Sequence, residues 1–561
     1  MNNTRRPEPW RLFELGLLLA FLAAVLVLML VNPASGVAVV EQQTGSEENT
    51  SLQVYASAMP HQGWAPLTVY FSAFGSQSPN GEIQRYEWDL DGNGRYDTDA
   101  TASGGYASYT YTKPGLYIVT LRVTDPQGQH ASQSIPIQVR HPASSSVDYW
   151  TLFDDSRVRK VEIFLSQADW NYIWTDPEAK LQVRADAIIF GERLDDIGFR
   201  MRGQFSLRNS GEKKPWKIDT DAYIEGQEYH NLRQLMFLNN IGDSSLLQEK
   251  LAYDGMHFAG VPASFTCFVE LWIDFVDDDQ PPIFWGVYTM VERVDKKFLS
   301  NRFGQDYKGG NLYKANHAQR GPMDLVYHGP QIEDYPTQNG LYAYGKATNE
   351  ATADYSDLLQ LIYTIDGVDY ESPEAFASAL EEVLNVDSFL RYMAVVNTLG
   401  NWDSYPYTGN NYYLFYNAGS GRFEWLPWDL TWGDNPQHPL FDLEGPGLVE
   451  QAPLYEKVFQ VERYRVQYAA YLDLLARYWF TPENIAALAG RYQRQVAPYL
   501  TQGQGDQAFF GPSAMFPSEA FNNSAERFVE FTRLRNAFIR NTLTGDSWRT
   551  PPVATPIVPA P

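Results

Sequence analysis

The stretch "WLPWDLTWGD", residues 425–434, places one carboxylate, Asp429, among tryptophans, leucines and a proline. A carboxylate in an apolar wall is costly unless a hydrogen bond, an opposite charge or a metal ion compensates it. The aromatic segment "NNYYLFYN", residues 410–417, reads as the first strand of a hairpin whose second strand ends near Asp429. We therefore interpret Asp429 as a metal-binding residue at a strand end.

Two polar side chains precede this hairpin. Asp403 lies in the turn-rich loop "NWDSYPYTG", and Asn411 stands immediately before the aromatic strand. The order Asp, Asn, hairpin, Asp is that of a phosphotransferase, in which the first acid orients the accepting hydroxyl and the other two groups hold Mg²⁺. Two unrelated turn aspartates would show the same spacing, so both interpretations stay open at this point.

The stretch "FRMRGQFSLRNSGEKKPWKID", residues 199–219, predicts a phosphate-binding hairpin. A strand is expected to end at Arg202, and the loop after it carries Gly203 and Ser206, whose backbone N–H groups can approach phosphate. Alternation along the second strand places Lys213 and Lys217 on one face. A hairpin with ordinary surface lysines is the alternative.

Two acids near this hairpin are further candidates. In "DSSLLQEKLAYDGMHFAG", residues 243–260, leucine spacing predicts a helix with Asp243 as its N-cap. Glu249 on this helix either pairs with a hairpin lysine or is simply exposed. Glu292 follows the apolar run "FWGVYTMV" and is either near a nucleotide or an acid of an edge strand.

Size and charge restrict the function. A chain of 561 residues is too long for one ordinary core, so two or more domains are expected. The net charge of -25 argues against nucleic acid as a partner, because phosphates would be repelled. The single cysteine, Cys267, lies in an apolar stretch and is expected to be a small buried hydrophobic residue.

Both ends of the chain have distinct compositions. Three arginines precede an uncharged apolar run, residues 15–31, so residues 1–36 are predicted to be a signal peptide or a membrane anchor with the remainder facing outward. Residues 37–51 read as a linker. The Pro-rich tail, residues 545–561, is expected to be extended and disordered.

Residues 52–140 consist of short alternating runs separated by turns, which predicts a β-sandwich. The pair Trp88-Asp89 and the run "GLYIVTLRVTD", residues 115–125, resemble a PKD (polycystic-kidney-disease) repeat. This resemblance implies an immunoglobulin-like extracellular module used for spacing or adhesion. Its loop "DLDGNGRYD" is either a plain Asp/Gly turn or a Ca²⁺ site with oxygen ligands at alternate positions, namely Asp89, Asp91, Asn93 and Asp97.

Residues 141–157 read as a second linker and residues 158–544 as one large domain. Strands come first in this domain, and longer helical patterns follow. That order predicts a two-lobed α+β arrangement.

The large domain resembles the spore-coat protein H (CotH) kinase family. Six pieces occur in the family's order: "RMRGQFS…KKPWKI", "DSSLLQEKLAYDGMHFAGVPA", "GVYTMVERVDKKFL", "GNLYKA", "NNYYLFYN" and "WLPWDLTWG". The resemblance implies an atypical protein-kinase-like fold that uses ATP with Mg²⁺, or alternatively Mn²⁺, to phosphorylate Ser or Thr of exported proteins. It implies Asp403 as the catalytic acid, Asn411 and Asp429 as metal ligands, and a nucleotide region containing Lys213 or Lys217, Arg202, Ser206 and Glu292.

One departure divides two functional hypotheses. Thr431 stands where the family usually has a second acid, two residues after Asp429. The first hypothesis is an exported or surface-anchored kinase, tethered to the membrane by the N-terminal helix, that phosphorylates a secreted or coat protein. The second is a non-catalytic surface scaffold or adhesion protein with a pseudokinase-like domain.

Overall fold

The computed structural model describes residues 51–140, 149–442, 451–500 and 519–552. Its buried apolar residues form three clusters. One cluster fills an N-terminal β-sandwich, the second fills a β-barrel, and the third and largest lies among the helices. The larger domain is therefore a mixed α/β structure that follows an immunoglobulin-like sandwich.

The sandwich pairs a three-stranded sheet with a five-stranded sheet. Trp88 is fully buried at its centre and donates its indole N–H to the carbonyl of Gly105 at 3.1 Å. The predicted strand over 115–125 is confirmed, with Val119, Leu121 and Val123 buried on one face. The strands are β1 Ser57–Met59, β2 Gln62–Trp64, β3 Leu67–Ser72, β4 Arg85–Asp89, β5 Thr98–Asp99, β6 Ala107–Tyr111, β7 Gly115–Thr124 and β8 His130–Arg140.

Seven strands then close into a barrel. All neighbouring strands are antiparallel except β9 and β14, which are parallel and set Val269 opposite Arg159. Trp216 inside the barrel stacks on Phe199 at a ring distance of 4.8 Å. The strands are β9 Arg159–Leu165, β10 Gln182–Ile189, β11 Glu192–Met201, β12 Trp216–Asp219, β13 Gln234–Leu238, β14 Thr266–Phe275 and β15 Ile283–Glu292; the helices among them are α1 Gln167–Thr175, α2 Phe205–Arg208, α3 Gln248–Ala259 and α4 Lys296–Phe303.

The remainder is a helical layer around a four-stranded sheet. The sheet strands are β16 Leu312–Ala315, β19 Tyr344–Lys346, β20 Tyr412–Asn417 and β21 Arg422–Pro427, with a small hairpin of β17 Thr337–Gln338 and β18 Leu341–Tyr342. The helices are α5 His317–Arg320, α6 Ser356–Asp366, α7 Pro373–Val383, α8 Val386–Leu399, α9 Tyr405–Thr408, α10 Pro453–Val458, α11 Glu462–Leu474, α12 Pro482–Val496, α13 Glu519–Asn522 and α14 Ser524–Thr544.

Five helical patterns of this half, predicted from the sequence, correspond to observed helices: α6, α7, α8, α11 and α14. Helix α12 was missed, although its start carries a recognisable signal. The Thr481 hydroxyl accepts the N–H of Asn484, and Pro482 occupies the first turn. Both features favour a helix start.

The sandwich packs tightly on the larger domain. Tyr70 stacks on Tyr478 at a ring distance of 4.3 Å, and Met59 joins the core of the helical layer. Buried Arg391 donates to the carbonyl of Ala58 in the sandwich at 2.8 Å and to that of Ala259 at the end of α3 at 3.1 Å. Residues 149–153 form a short 3₁₀ helix with Leu152 and Phe153 buried, while residues 141–148 of the predicted linker lie outside the described residues.

Within the described ranges, none of the helices combines the length and apolar character needed to cross a bilayer. The apolar run 15–31 and residues 553–561 of the predicted tail lie outside those ranges.

Arg391 is expected to be a main support of this domain contact. Replacing it in Arg391→Met leaves two buried carbonyls without this donor and removes the cation that lies 2.7 Å from the Asp387 carboxylate. Leaving buried hydrogen-bonding groups unsatisfied lowers the free energy of unfolding by about 2 kcal/mol. Denaturant unfolding of the full chain measures this loss.

Arg533→Met is the matched control, because Arg533 pairs with Glu530 on the exposed side of α14. Its expected effect is below about 1 kcal/mol. Equal losses in the two variants would show that Arg391 does not hold the domains together.

Candidate active site

The loop after α8 holds Asp403 in one orientation. The backbone N–H of Asp403 donates to the Asn401 side-chain oxygen at 3.0 Å. The Thr408 hydroxyl donates to Oδ1 of Asp403 at 2.9 Å. The carboxylate is therefore fixed by its own loop, and it is only partly buried.

Asn411 joins this loop to the β20–β21 hairpin. Its Nδ2 donates to the backbone carbonyl of Asp403 at 2.9 Å. Because a carbonyl oxygen can only accept, this bond fixes which side of the amide faces the loop and directs Oδ1 away from it. Asn411 has a φ of 61°, a left-handed conformation that asparagine tolerates better than most residues.

The hairpin places Asn411 beside Asp429. Tyr412 pairs with Pro427, and the carbonyl of Asn411 accepts the N–H of Trp428 at 3.2 Å, which extends the ladder by one step. Asn411 therefore lies across from Trp428, the immediate neighbour of Asp429. The two candidate metal ligands therefore lie near each other, and the region around Asp403, Asn411 and Asp429 is here called the cleft.

Asp429 is exposed although its neighbours in the sequence are buried. Trp428 and Leu430 are buried, whereas the Asp429 side chain is exposed, because a φ of 52° turns this residue out of the strand direction. The sequence context suggested that this acid lies inside an apolar wall. In the structure it is exposed on the cleft side of that wall. The surrounding protein limits its hydration and raises its pKa, and the nearby Asp403 charge adds to this effect.

Two cations oppose that rise in the pKa of Asp429, namely Arg202 and Lys314. Lys314 lies on β16, opposite Tyr413, and its ammonium stands 5.0 Å above the Trp428 ring and 5.3 Å from the Tyr413 ring. Sequence reasoning did not assign Lys314 a role. The only indication in the sequence was that Lys314 belongs to "GNLYKA", one of the six stretches that carry the family resemblance.

Arg202 and Glu249 complete the cleft from the barrel side. Glu249 is half-buried at the start of α3, and burial followed by the Asp429 charge raises its pKa well above the ordinary value. Its charge partner is Arg202 instead of a hairpin lysine. Among the described side chains, no ion pair within 4 Å joins Arg202 to either carboxylate, so its charge acts on Glu249 and Asp429 through space.

Thr431 ties the same helix to the hairpin. Its hydroxyl donates to the Gln248 side-chain oxygen at 3.1 Å. The predicted N-cap at Asp243 is wrong, because α3 begins only at Gln248. Residues 243–247 form a turn with Leu246 at a φ of 62°, and Asp243 still accepts the N–H of Gln248 at 2.9 Å.

Lys213 and Lys217 do not share a face, because β12 begins only at Trp216 and Lys213 lies in the loop before it. The Lys213 ammonium packs 5.2 Å from the ring of Tyr288, a residue of the barrel core. Lys217 pairs with Asp219 at 2.9 Å, and burial lowers its pKa to about 8. Neither lysine is among the groups that perturb the pKa of Asp429.

Ser206 and Glu292 occupy different surroundings. Ser206 lies on α2, where a Cβ added at Gly203 would overlap its hydroxyl, so the loop is closely packed. Phosphate binding by this loop stays a prediction. Glu292 is buried at the end of β15, accepts from Arg302 at 2.7 Å and accepts the N–H of Phe265 at 3.1 Å. These contacts give Glu292 a role in joining the barrel to α4.

The segment around α5 contacts the candidate site from outside. The N–H of His317 donates to Oδ1 of Asn410 at 3.1 Å, and the N–H of Met323 donates to the carbonyl of Gly409 at 2.8 Å. The Tyr405 hydroxyl donates to the carbonyl of Asp324 at 3.1 Å. These hydrogen bonds hold the segment that follows Asp403 against residues 317–324.

The donors of the cleft suit Mg²⁺, which prefers oxygen ligands and completes its octahedron with water and phosphate oxygens. Asn411 and Asp429 each supply one such oxygen. Within the described ranges, no group of three or more His, Cys, Asp or Glu side chains is arranged to hold a metal by itself. Substrate phosphates would therefore have to complete the coordination.

The predicted calcium loop of the sandwich is arranged as a turn. Asp89 accepts the N–H groups of Gly92 at 2.9 Å and Gly94 at 2.7 Å, and Asp91 accepts the N–H of Asn93 at 3.2 Å. These side chains thus stabilise their own backbone. Calcium binding by Asp89, Asp91, Asn93 and Asp97 stays a prediction.

Glu249→Gln is expected to raise the thermal midpoint at pH 7. The raised pKa means that the folded state must either hold a proton or carry a poorly solvated charge once the pH exceeds the ordinary value of 4.5, whereas the unfolded chain ionises freely. The stabilisation should therefore disappear as the pH falls below about 4.5. Thermal unfolding between pH 4 and pH 8 measures it.

Glu82→Gln, an exposed change in the sandwich, serves as the control and should leave the midpoint unchanged at each pH. A lower midpoint of Glu249→Gln at neutral pH would show instead that Arg202 stabilises the ionised form.

Comparison with known proteins matches two parts of the chain to families. The model of the family described as CotH kinase protein matches residues 199–539, and a PKD domain model matches residues 56–139. Inner spore coat protein H of Bacillus subtilis (strain 168) is 22% identical over 377 residues, which cover 66% of this chain and 92% of that protein.

Two solved structures resemble the sandwich in sequence. The PKD1 domain of Vibrio anguillarum Epp is 28% identical and covers 17% of this chain and 100% of its own, with a TM-score of 0.14. The PKD1 domain of the Vibrio cholerae metalloprotease PrtV is 28% identical and covers 16% of this chain and 96% of its own, with a TM-score of 0.13. Since the CotH model covers more than half of the chain, the protein belongs to the CotH kinase family and carries a PKD domain ahead of its kinase-like domain.

Proposed function

We propose that this protein is an exported or surface-anchored atypical protein kinase that transfers the γ-phosphate of ATP to Ser or Thr of a secreted or coat protein. The observation that carries the proposal is one cleft in which Asp403, Asn411 and Asp429 are held by hydrogen bonds and backbone geometry. Arg202 and Lys314 face the same cleft. A surface protein without catalysis has no need of this arrangement.

Asn411 Oδ1 and the Asp429 carboxylate would hold Mg²⁺ or Mn²⁺. When bound, the metal would neutralise the charge of the phosphate tail. Arg202 and Lys314 would add positive charge around the transferred group. Lys314 is kept in place by the aromatic faces of Tyr413 and Trp428.

Asp403 would act on the acceptor. Its carboxylate would orient the Ser or Thr hydroxyl and take up the proton as the hydroxyl oxygen bonds to the γ-phosphorus. The bond from that phosphorus to the β–γ bridging oxygen breaks, and ADP leaves. Thr408 holds Oδ1 of Asp403, so the second carboxylate oxygen would receive the proton.

The proposed location rests on the comparisons and on the N-terminal sequence. The similar Bacillus subtilis protein is named an inner spore coat protein, and the PKD domain favours a surface location. We infer that residues 1–36 direct export or anchor the protein in a membrane. The acceptor is then a protein of the same compartment.

The activity is tested with the chain from residue 51 onward, labelled ATP and Mg²⁺ or Mn²⁺, with a mixture of serine- and threonine-containing proteins as acceptors. Asp403→Ala and Asp429→Ala are each expected to reduce phosphate incorporation by about 100-fold or more, because one removes the acid that takes the proton and the other a metal ligand. Scintillation counting of the separated proteins gives the rates.

Asp279→Ala is the matched control, because Asp279 is an exposed acid in the β14–β15 loop. It should retain the wild-type rate. Label that persists in both active-site variants would exclude the kinase mechanism, and so would the absence of label from the wild type.

A non-catalytic surface protein is the second candidate, and the Thr431–Gln248 hydrogen bond favours it, because a neutral pair stands where the family usually has an acid. The two candidates differ in metal affinity. We expect the wild type to bind Mn²⁺, Asp429→Ala to lose binding, and Thr431→Asp to bind more tightly because it adds a charged oxygen ligand. Mn²⁺ titration followed by electron paramagnetic resonance measures all three.

Mn²⁺ binding that appears only in Thr431→Asp would support the non-catalytic candidate. Asp434→Asn serves as a control for added or removed charge nearby, since Asp434 is exposed three residues after Thr431.

A further inference from the structure

Five cations gather on one side of the cleft in a protein whose net charge is -25. Arg202 and Lys314, the inner cations, act on Asp429. Beyond them lie three others, here called the cationic rim: Lys180, Arg200 and Arg208.

Strand pairing explains how the rim is assembled. Gln182 of β10 lies opposite Arg200 of β11, and Lys180 precedes Gln182 by two residues, so Lys180 lies near the end of this ladder. Arg208 on α2 reaches back to Glu178 at 3.1 Å, beside Lys180 in the chain. Three separate segments thus bring their cations to one place.

Lys180 lacks a compensating charge. Among the described residues, no carboxylate lies within 4 Å of its ammonium, and its side chain is half-buried. Burial and then the charges of Arg200, Arg202, Lys314 and Arg208 lower its pKa. Arg208 pairs with Glu178, whereas among the described residues no carboxylate forms an ion pair with Lys180, Arg200, Arg202 or Lys314. Positive charge is therefore in excess here, which raises the local potential and attracts anions.

The rim is separate from the phosphate-transfer centre. Arg202 and Lys314 influence both Asp429 and Lys180, whereas the rim cations are not among the groups that perturb the pKa of Asp429. The inner pair with a metal ion accounts for the phosphate tail of a nucleotide. The rim therefore has capacity for a second anion, and Arg208, whose side chain is 57% exposed, is within reach of a macromolecule.

We propose that the cationic rim binds carboxylates of the acceptor polypeptide and thereby selects Ser or Thr residues flanked by Asp or Glu. This inference rests on the proposed kinase function and adds the substrate class to it. The remaining acidic surface repels such a segment, so attraction is confined to the rim and orients the acceptor at Asp403. The combination favours acidic acceptors only in the productive position.

Two fluorescent peptides that differ only in flanking residues test this proposal: one has a central serine between glutamates, the other between glutamines. Fluorescence anisotropy measures their binding to the chain from residue 51 onward without ATP, and phosphorylation assays measure kcat/KM. We expect the glutamate peptide to be favoured about tenfold in both, with an advantage that shrinks as salt rises.

Lys180→Met and Arg208→Met should each reduce this preference several-fold and leave the KM for ATP unchanged, while Lys180→Arg should retain it. Lys113→Met, an exposed change in the sandwich, is the control and should behave as the wild type. Equal binding of the two peptides would overturn the proposal. A raised KM for ATP with the peptide preference intact would assign the rim to the nucleotide and overturn it as well.

The two proposals fail separately. If the wild type does not phosphorylate either peptide, the kinase proposal fails, and the anisotropy measurement still decides whether the rim recognises acidic segments.

Discussion

The hydrogen bond from the Asn411 amide to the carbonyl of Asp403 joins the two halves of the candidate site. The loop after α8 supplies Asp403, and the hairpin supplies Asp429, but neither segment by itself determines their relative position. Asn411 belongs to both, because its side chain bonds the loop and its carbonyl continues the hairpin ladder to Trp428. Its left-handed backbone makes both contacts possible at once. The geometry of the cleft depends on this one residue.

Helix α3 connects the cleft to the N-terminal sandwich. Gln248 and Glu249 at its start face the cleft, and Gly260 after its end lies so close to the sandwich that an added Cβ would stand 3.2 Å from Pro60. Arg391 bonds the carbonyls of Ala58 and Ala259 and thus fixes both partners. The sandwich was expected to be a spacer. In the structure it also supports the helix that carries Glu249.

Acidic and basic side chains both surround the cleft without forming direct ion pairs. Burial raises the pKa values of both Glu249 and Asp429. The charge of Asp429 adds to the rise at Glu249, and the charge of Asp403 adds to the rise at Asp429, so a cation that approaches these acids would favour their ionised forms. The nearby cations act on them through space and do not form direct pairs. A folded domain tolerates such unpaired charges at a functional site, where a bound ligand supplies the opposite charge.

The sequence by itself determined the local elements and the identity of the family. Period-two and helical spacing located the sandwich strand 115–125 and helices such as α8, and residue order together with the family resemblance predicted Asp403, Asn411 and Asp429 as one set. Only the tertiary structure decided which cations join them. Lys213 and Lys217 were expected from alternation, yet β12 begins too late for that pattern, and Lys314 and Arg202 reach the cleft instead. The physical reason is that hydrophobic periodicity reports which face of an element is buried, whereas the approach of charged groups from distant segments is set by strand register, barrel closure and left-handed turns, which local patterns do not encode.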